Sequence, residues 1–214
     1  MAEINELVNL RPSLGLIDYG SGNLRSVSKA LEAAGAQVTR LERGPIANGF
    51  DAIVLPGVEA FGDSVSQLRE RDLFDSLKKW IEGGGRFLGV CLGFQLLFEA
   101  SAESPGVAGL GIFRGQVRKF PAGTVKVPQI GWNSVTWTEH ARALYGKLPP
   151  DPFFYFVHSY YPEPTDESIV AGYTEYGERF AAAIATKNLL ATQFHPEKSQ
   201  ETGLLLLRQF LETL

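Results

Sequence analysis

The sequence predicts an α/β fold of three layers, with a mostly parallel central sheet and an antiparallel β appendage. Three observations carry that reading. In the first half, short apolar runs alternate with stretches of helical periodicity. In the second half, strand-like runs follow one another across Pro and Gly without room for crossover helices. The 23 glycines and 44% apolar content of the 214 residues suit many tight strand-to-helix turns.

Residues 14–18, Leu-Gly-Leu-Ile-Asp, read as a first apolar strand ending in a Gly-rich turn at residues 20–22. Leu24, Val27, Leu31 and Ala34 recur at spacings of 3, 4 and 3, which marks one face of a helix, and Gly35 supplies its stop. The Val and Thr of residues 37–41 favour a second strand, so that a right-handed parallel crossover is expected. The unit then repeats. Residues 52–55 form a buried-type strand, Asp63 caps a helix carrying Val65 and Leu68, and Leu73, Leu77, Trp80 and Ile81 form a further stripe stopped by the glycines at 83–85. Residues 86–90 are the next strand, its end runs into Cys91-Leu92-Gly93, and residues 94–100 read as helical.

Beyond that point, residues 117–120, 125–130 and 132–137 read as an antiparallel meander. Residues 153–158, 169–173, 179–186 and 189–194 add strands, and a C-terminal helix from about Ser199 buries Leu204, Leu207, Leu211 and Leu214. No linker, repeat or low-complexity tract intervenes. One domain is therefore expected over residues 13–214 behind an extension of residues 1–12, with its site at the carboxyl ends of the parallel strands.

Composition removes several classes of function. The 20 Lys and Arg against 24 Asp and Glu leave a net charge of −4 with no long run of either sign, so no nucleic-acid partner is expected. The apolar runs at 153–157 and 204–207 fall far below the ~20 residues a membrane span needs, and Met1-Ala-Glu-Ile lacks a basic leader. A single cysteine cannot form an intrachain disulfide, so a soluble, cytoplasmic protein without membrane contact is expected. Three dispersed histidines and one cysteine show no ligand spacing, so no metal is expected. Gly20-Ser21-Gly22 fails the dinucleotide fingerprint because Arg25 stands where the third glycine belongs, and no cofactor is expected.

The chemistry gathers at two places. Gly89-Val90-Cys91-Leu92-Gly93 has the form G-x-C-x-G at a strand-to-helix junction, the thiol counterpart of the serine nucleophile elbow. A helix starting at Leu92 would favour the thiolate, and its first amides could hold an oxyanion. Attack on an amide also needs a proton donor for the leaving nitrogen and a base for water. His195 in Phe194-His195-Pro196-Glu197-Lys198 serves both needs, with Glu197 orienting the imidazole. His140, among polar residues, reads as a solvated turn or cap, and His158 as structural.

Gly-Val-Cys91-Leu-Gly-Phe-Gln95 resembles the nucleophile motif of class I (triad) glutamine amidotransferases, and His195-Pro-Glu197 the distal half of their triad. Five further segments are similar to the glutaminase subunits of imidazole glycerol phosphate synthases: Asp18-Tyr-Gly-Ser-Gly-Asn-Leu-Arg-Ser26, Leu55-Pro-Gly-Val58 with Ala60-Phe-Gly-Asp63, Pro128-Gln-Ile-Gly-Trp-Asn133, Tyr155-Phe-Val-His-Ser-Tyr160 and His195-Pro-Glu-Lys-Ser199. The resemblance covers the chain from about Ser13 onward. It implies the class I glutamine amidotransferase fold, hydrolysis of glutamine, and delivery of ammonia to a separate (β/α)8-barrel cyclase subunit. In that heterodimer the cyclase makes imidazole glycerol phosphate and AICAR ribotide for histidine biosynthesis.

Carried over residue by residue, the resemblance implies an oxyanion hole from the amides near Val58 and of Leu92. It implies Gly57, Gln95, Glu103, Ser159 and Tyr160 around the glutamine, and Gln129, Gly131, Trp132, Asn133 and Lys198 facing the cyclase. Outside those motifs Trp132 would read as an ordinary aromatic, Lys198 as a solvated charge and Tyr160 as a strand residue. Gly57 allows the peptide to Val58 to swing, so an N–H can turn toward or away from the oxyanion. Two residues depart from the pattern. Phe94 replaces the usual Met, a change of packing, and Glu59 replaces a glycine beside the swinging peptide, where a non-glycine residue is expected to restrict it by the ~1–2 kcal/mol cost of left-handed backbone geometry. Glutaminases of anthranilate or aminodeoxychorismate synthase are the alternative. Their elbow reads Cys-Leu-Gly-His-Gln, against which Phe94 weighs. A silent partner-binding module and a cysteine hydrolase of other amides are the remaining readings, and the first is disfavoured by the complete triad.

Overall fold

The computed structural model describes residues 11–123 and 125–214. The expected extension over residues 1–12 lies outside the described residues except for Arg11 and Pro12, whose carbonyl accepts from Gln37 N–H at 2.8 Å.

From there the chain forms β1 (Ser13–Ile17), α1 (Leu24–Ala34), β2 (Gln37–Leu41), β3 (Ala52–Leu55), α2 (Phe61–Glu70), α3 (Phe74–Glu82) and β4 (Phe87–Val90). The four strands pair in parallel in the order β2-β1-β3-β4. Strand alternation explains the layers. Leu14, Leu16, Val54, Leu88 and Val90 pack with Leu24, Val27 and Leu31 of α1 in one core. Ile17, Ile53, Leu55 and Phe87 turn to the other, against Val65 and Leu68 of α2 and Leu77 and Ile81 of α3. Both faces of the parallel strands are thus covered by helices, as their unbroken apolar runs require.

Asp63 does not cap α2. The helix begins at Phe61, two residues earlier, after Ala60, which has no side-chain acceptor. The free amides are met from a distant loop instead: Glu103 Oε2 accepts from Phe61 N–H at 2.8 Å and Ser104 Oγ from Gly62 N–H at 2.9 Å.

The helix expected over residues 94–100 also ends early. α4 (Leu92–Gln95) is one turn, followed by β5 (Phe98–Ser101), which pairs in parallel with β6 (Phe113–Lys119). Distant amides take the carbonyls a longer helix would have used: Leu110 N–H donates to Leu96 O at 2.8 Å and Ile112 N–H to Leu97 O at 2.9 Å. Phe94 is fully buried, edge-on to Phe98 with ring centroids 5.6 Å apart, so its departure from the family pattern is met by packing.

The remaining elements are β7 (Gln129–Ser134), β8 (Thr136–Trp137), α5 (Glu139–Leu144), β9 (Phe153–His158), β10 (Tyr160–Pro164), β11 (Val170–Glu175), β12 (Arg179–Thr186), β13 (Leu189–Thr192) and α6 (Gln200–Glu212). The strand expected from residue 125 starts only at 129, and the one expected over 132–137 breaks at Val135, whose two sides join different sheets. α5, capped by Thr138, and β10 were not expected. The meander expected over residues 117–137 does not form, since β6, β7 and β8 each pair with strands of a different sheet. β13 returns parallel to β4, and β12, β11 and β8 extend the same eight-stranded sheet antiparallel. A three-stranded sheet β10-β6-β5 and a two-stranded sheet β7-β9 form the appendage. Leu206, Leu207 and Phe210 of α6 join the α1 side of the core. Among the described residues no helix is long and apolar enough to cross a membrane.

Candidate active site

β4 ends at Val90, paired with Thr192 at the end of β13. The residues that follow each strand therefore meet at the same sheet end. Cys91 takes the turn out of β4 with φ 54° and ψ −104°, a conformation that costs a non-glycine residue ~1–3 kcal/mol and is held by its surroundings. The flanking glycines make the turn sterically feasible. A Cβ on Gly93 would stand 1.8 Å from Leu55 O, and one on Gly89 would stand 2.8 Å from Gly93 O. Because α4 is a single turn, it offers the sulfur individual amides rather than the field of a long helix.

His195 lies three residues past β13, its N–H donating to Tyr155 O at 2.9 Å. Its Nδ1–H donates to Glu197 Oε1 at 2.8 Å, within a buried pair. Asn23 Nδ2 donates to the same carboxylate oxygen at 3.0 Å, and Ser21 Oγ donates to Asn23 Oδ1 at 3.2 Å. The turn after β1 thus braces the carboxylate that orients the imidazole. With Nδ1 committed, Nε2 is the nitrogen free to take or give a proton. Nε2 is buried without a well-formed hydrogen bond among the described residues. Burial, the largest single influence, lowers the His195 pKa. The charge and looser hydrogen bond of Cys91, together with Glu197, outweigh burial and raise it above the ordinary histidine range. His195 is therefore held protonated as long as the sulfur is charged.

A cavity of about 210 Å³ opens beside the sulfur, a size for a small metabolite rather than a drug-sized ligand. Val58, Leu92, Gln95, Glu103, Ser159 and Tyr160 line it with Cys91, and so does Glu59. Gly57 is not among the lining residues, and its carbonyl accepts from Leu92 N–H at 3.3 Å. The next amide, Val58 N–H, donates to Glu59 Oε2 at 3.1 Å, while Glu59 Oε1 accepts from Gly22 N–H at 2.8 Å. Both amides expected to hold an oxyanion are thus engaged internally. Gly57 O and Val58 N–H belong to one peptide, so a swing of that peptide would free Leu92 N–H and turn Val58 N–H inward. Glu59 opposes the swing because its carboxylate would then face a carbonyl oxygen. The expected backbone restriction is not present, since Glu59 is not among the residues with left-handed φ. The restriction is the carboxylate. A Cβ at Gly57 would lie 2.2 Å from the Tyr19 hydroxyl and 2.9 Å from Leu92 Cβ, so a larger residue there would have to displace the buried Tyr19 ring.

The five residues expected to face a partner divide. Trp132 and Lys198 are exposed, and Gly131 is half-buried, paired with Phe156 of β9 at φ 139°. Lys198 Nζ lies 5.9 Å from the Tyr155 ring, itself edge-on to Trp132. Ile130, Trp132 and Phe153 make an exposed apolar face on the β7-β9 sheet. The Asn133 side chain instead donates to Glu175 O at 2.9 Å and ties β7 to β11. Gln129 is a correction: its side chain is buried and turned inward onto His158 Nε2 at 2.9 Å, so it is not displayed on that surface.

His158 has the expected structural role. Its Nδ1–H donates to Tyr160 O at 2.8 Å, and burial pushes its pKa down to about 4. A neutral ring with Nδ1 donating accepts at Nε2, which assigns the amide nitrogen of Gln129 to that contact. His140 is exposed in the first turn of α5, with Nε2 3.3 Å from Ala185 O. Asn23 and Gln193, whose Nε2 lies 3.5 Å from Cys91 Sγ, join the site without having been expected there. Asn23 falls inside a segment already singled out, and Gln193 stands two residues before His195.

Residues 15–214 match the glutamine amidotransferase class-I family. The chain is 50% identical over 196 residues to the imidazole glycerol phosphate synthase subunit HisH of Aquifex aeolicus, covering 91% of this chain and 94% of that protein. It is 47% identical over 201 residues to the subunit of the same name from Methanothermobacter thermautotrophicus, covering 94% and 98%. Among solved structures, PurLQS from Thermotoga maritima superposes with a TM-score of 0.76 at 18% identity, covering 95% of this chain and 99% of that one. A structure described as a glutamine amidotransferase gives 0.73 at 21% identity, covering 94% and 97%. At these identities the superpositions speak for the fold.

Proposed function

The chain belongs to the glutamine amidotransferase class-I family, and from that premise we infer that it is the glutaminase subunit of an imidazole glycerol phosphate synthase. It hydrolyses glutamine and supplies ammonia to a cyclase subunit in histidine biosynthesis. The observation that carries this reading is the meeting of the Cys91 elbow with the His195–Glu197 pair beside a cavity of about 210 Å³. The identity to curated synthase subunits along nearly the whole chain supports the choice of this complex over anthranilate or aminodeoxychorismate synthase.

In the proposed reaction, Cys91 Sγ attacks the side-chain amide carbon of glutamine, and the carbonyl oxygen takes up the negative charge. His195 Nε2 gives its proton to the nitrogen, the C–N bond breaks, and ammonia leaves a γ-glutamyl thioester. The neutral imidazole then takes a proton from water, whose oxygen attacks the thioester carbon. The C–S bond breaks, releasing glutamate and restoring the thiolate. Glu197, braced by Asn23, keeps the ring in the tautomer both steps need. Loss of the proton carrier is expected to cost more than loss of its orienter, so His195→Ala should lower kcat at least about tenfold further than Glu197→Ala. Steady-state glutamate formation measures both, and equal losses would contradict the assignment.

The cyclase partner is proposed to be a (β/α)8 barrel forming a heterodimer on the Ile130–Trp132 face and Lys198. The cytoplasm is the proposed compartment, since a lone free thiol suits reducing conditions. Co-purification with such a cyclase, followed by a glutaminase assay, tests the reading. No complex and no glutamate production in either state would refute it. Because Glu59 holds Val58 N–H away from the site, Glu59→Gly is expected to raise partner-free glutamate formation about tenfold, as befits one charged hydrogen bond removed from the resting form. An unchanged or lower basal rate would count against that role.

A further inference from the structure

We propose that Gln193 is a positioning residue for Cys91, donating a side-chain N–H to the sulfur in an orientation imposed by a second amide anchored on the Tyr160 carbonyl. The proposal's bearing on turnover rests on the glutaminase reading, but the hydrogen bond itself is open to test without glutamine.

An amide side chain offers a donor and an acceptor in nearly the same shape, so nearness alone does not say which end meets the sulfur. Here the choice is forced. The Tyr160 carbonyl can only accept, and it accepts from Gln95 Nε2 at 3.0 Å. The same NH₂ group reaches Gln193 Oε1 at 3.1 Å, which makes that oxygen the acceptor. The remaining end of the Gln193 amide is its NH₂, and it lies 3.5 Å from Cys91 Sγ. Tyr160 O is itself held by His158 Nδ1–H at 2.8 Å. Gln193 has 0% exposure and Gln95 and Cys91 5% each, so water does not replace these contacts.

A neutral donor aimed at the sulfur favours the thiolate over the thiol. It also restricts where the sulfur sits between the cavity and His195. Along the same path, His158 Nε2 contacts Gln129 at the start of β7, the strand whose outer face carries Ile130 and Trp132. The sheet proposed to receive the partner is therefore hydrogen-bonded to the nucleophile through the His158 ring, the Tyr160 carbonyl and the amides of Gln95 and Gln193.

The test is the pH dependence of Cys91 alkylation by iodoacetamide on the full chain, for the wild type, Gln193→Met and Gln95→Met. The titratable groups around the sulfur are His195, Glu197 behind it and Tyr19, with Glu59, Glu103, His158 and Tyr160 along the cavity, and none is altered by these changes. Gln193→Met keeps the length and removes the donor. It is expected to move the alkylation midpoint up by about one pH unit, slowing reaction about tenfold below the midpoint. Gln95→Met leaves Gln193 in place without its anchor and should shift the midpoint in the same direction by less. A merely structural role would change melting temperature and leave the midpoint where it was. If Gln193→Met does not fold, the Gln95→Met midpoint decides. An unmoved midpoint in the folded variants overturns the proposal. A wild-type chain that makes no glutamate refutes the functional reading while leaving this titration able to speak for the hydrogen bond.

Discussion

Cys91→Ala is expected to lower glutamate formation by at least about 10⁴-fold, the scale on which a covalent nucleophile acts when the rest of its triad remains. The loss should be confined to chemistry. Cys91 is already a small, nearly buried side chain, and alanine fits the same space. The positive φ of Cys91 is imposed by the packing of Gly89 and Gly93 against their neighbours rather than by the sulfur, so the elbow should survive the change. Circular dichroism, melting temperature and cyclase binding are therefore expected to stay near wild type. Residual turnover close to wild type would mean that another group attacks the amide.

The second large effect is on the partner-dependent rate. In the resting geometry Leu92 N–H is taken by Gly57 O and Val58 N–H by Glu59, so the developing oxyanion lacks preformed donors. Recovering one such donor is worth ~10²–10³ in rate. Addition of the cyclase with its nucleotide ligand is accordingly expected to raise kcat by about 10²–10³-fold, with KM for glutamine changing far less. Lys198, next to the triad Glu197 and exposed beside Tyr155, is the side chain expected to transmit docking. Lys198→Ala should reduce the stimulation more than the basal rate. Full activity without any partner would show that the Gly57–Val58 peptide does not gate the reaction.

The parallel half of the fold was legible because each of its elements carries its own local period. The Leu24, Val27 and Leu31 stripe specifies α1 whatever lies elsewhere. Elements decided by distant partners were not legible. Residues 96–98 continue a helical pattern, and the distant amides of Leu110 to Phe113 turn them toward a strand. The amides of α2 find acceptors in Glu103 and Ser104, which no local rule could foresee. The site divides in the same way. Cys91, His195 and Glu197 sit in compact motifs, and β4 and β13 bring the motifs together as neighbours. Asn23 and Gln193 make side-chain hydrogen bonds to residues far along the chain and left no pattern to read. Glu59 was recognised as an obstacle, but whether by backbone or by side chain depended on a carboxylate reaching two amides.

The most direct measurement is mass spectrometry of the full chain after reaction with a glutamine-mimicking diazoketone, with glutamate formation followed in parallel. A single adduct on Cys91, appearing in step with loss of activity and prevented by glutamine, is the predicted result. Complete inactivation without modification of Cys91, or full modification of Cys91 with activity intact, would contradict the assignment of this thiol as the glutaminase nucleophile.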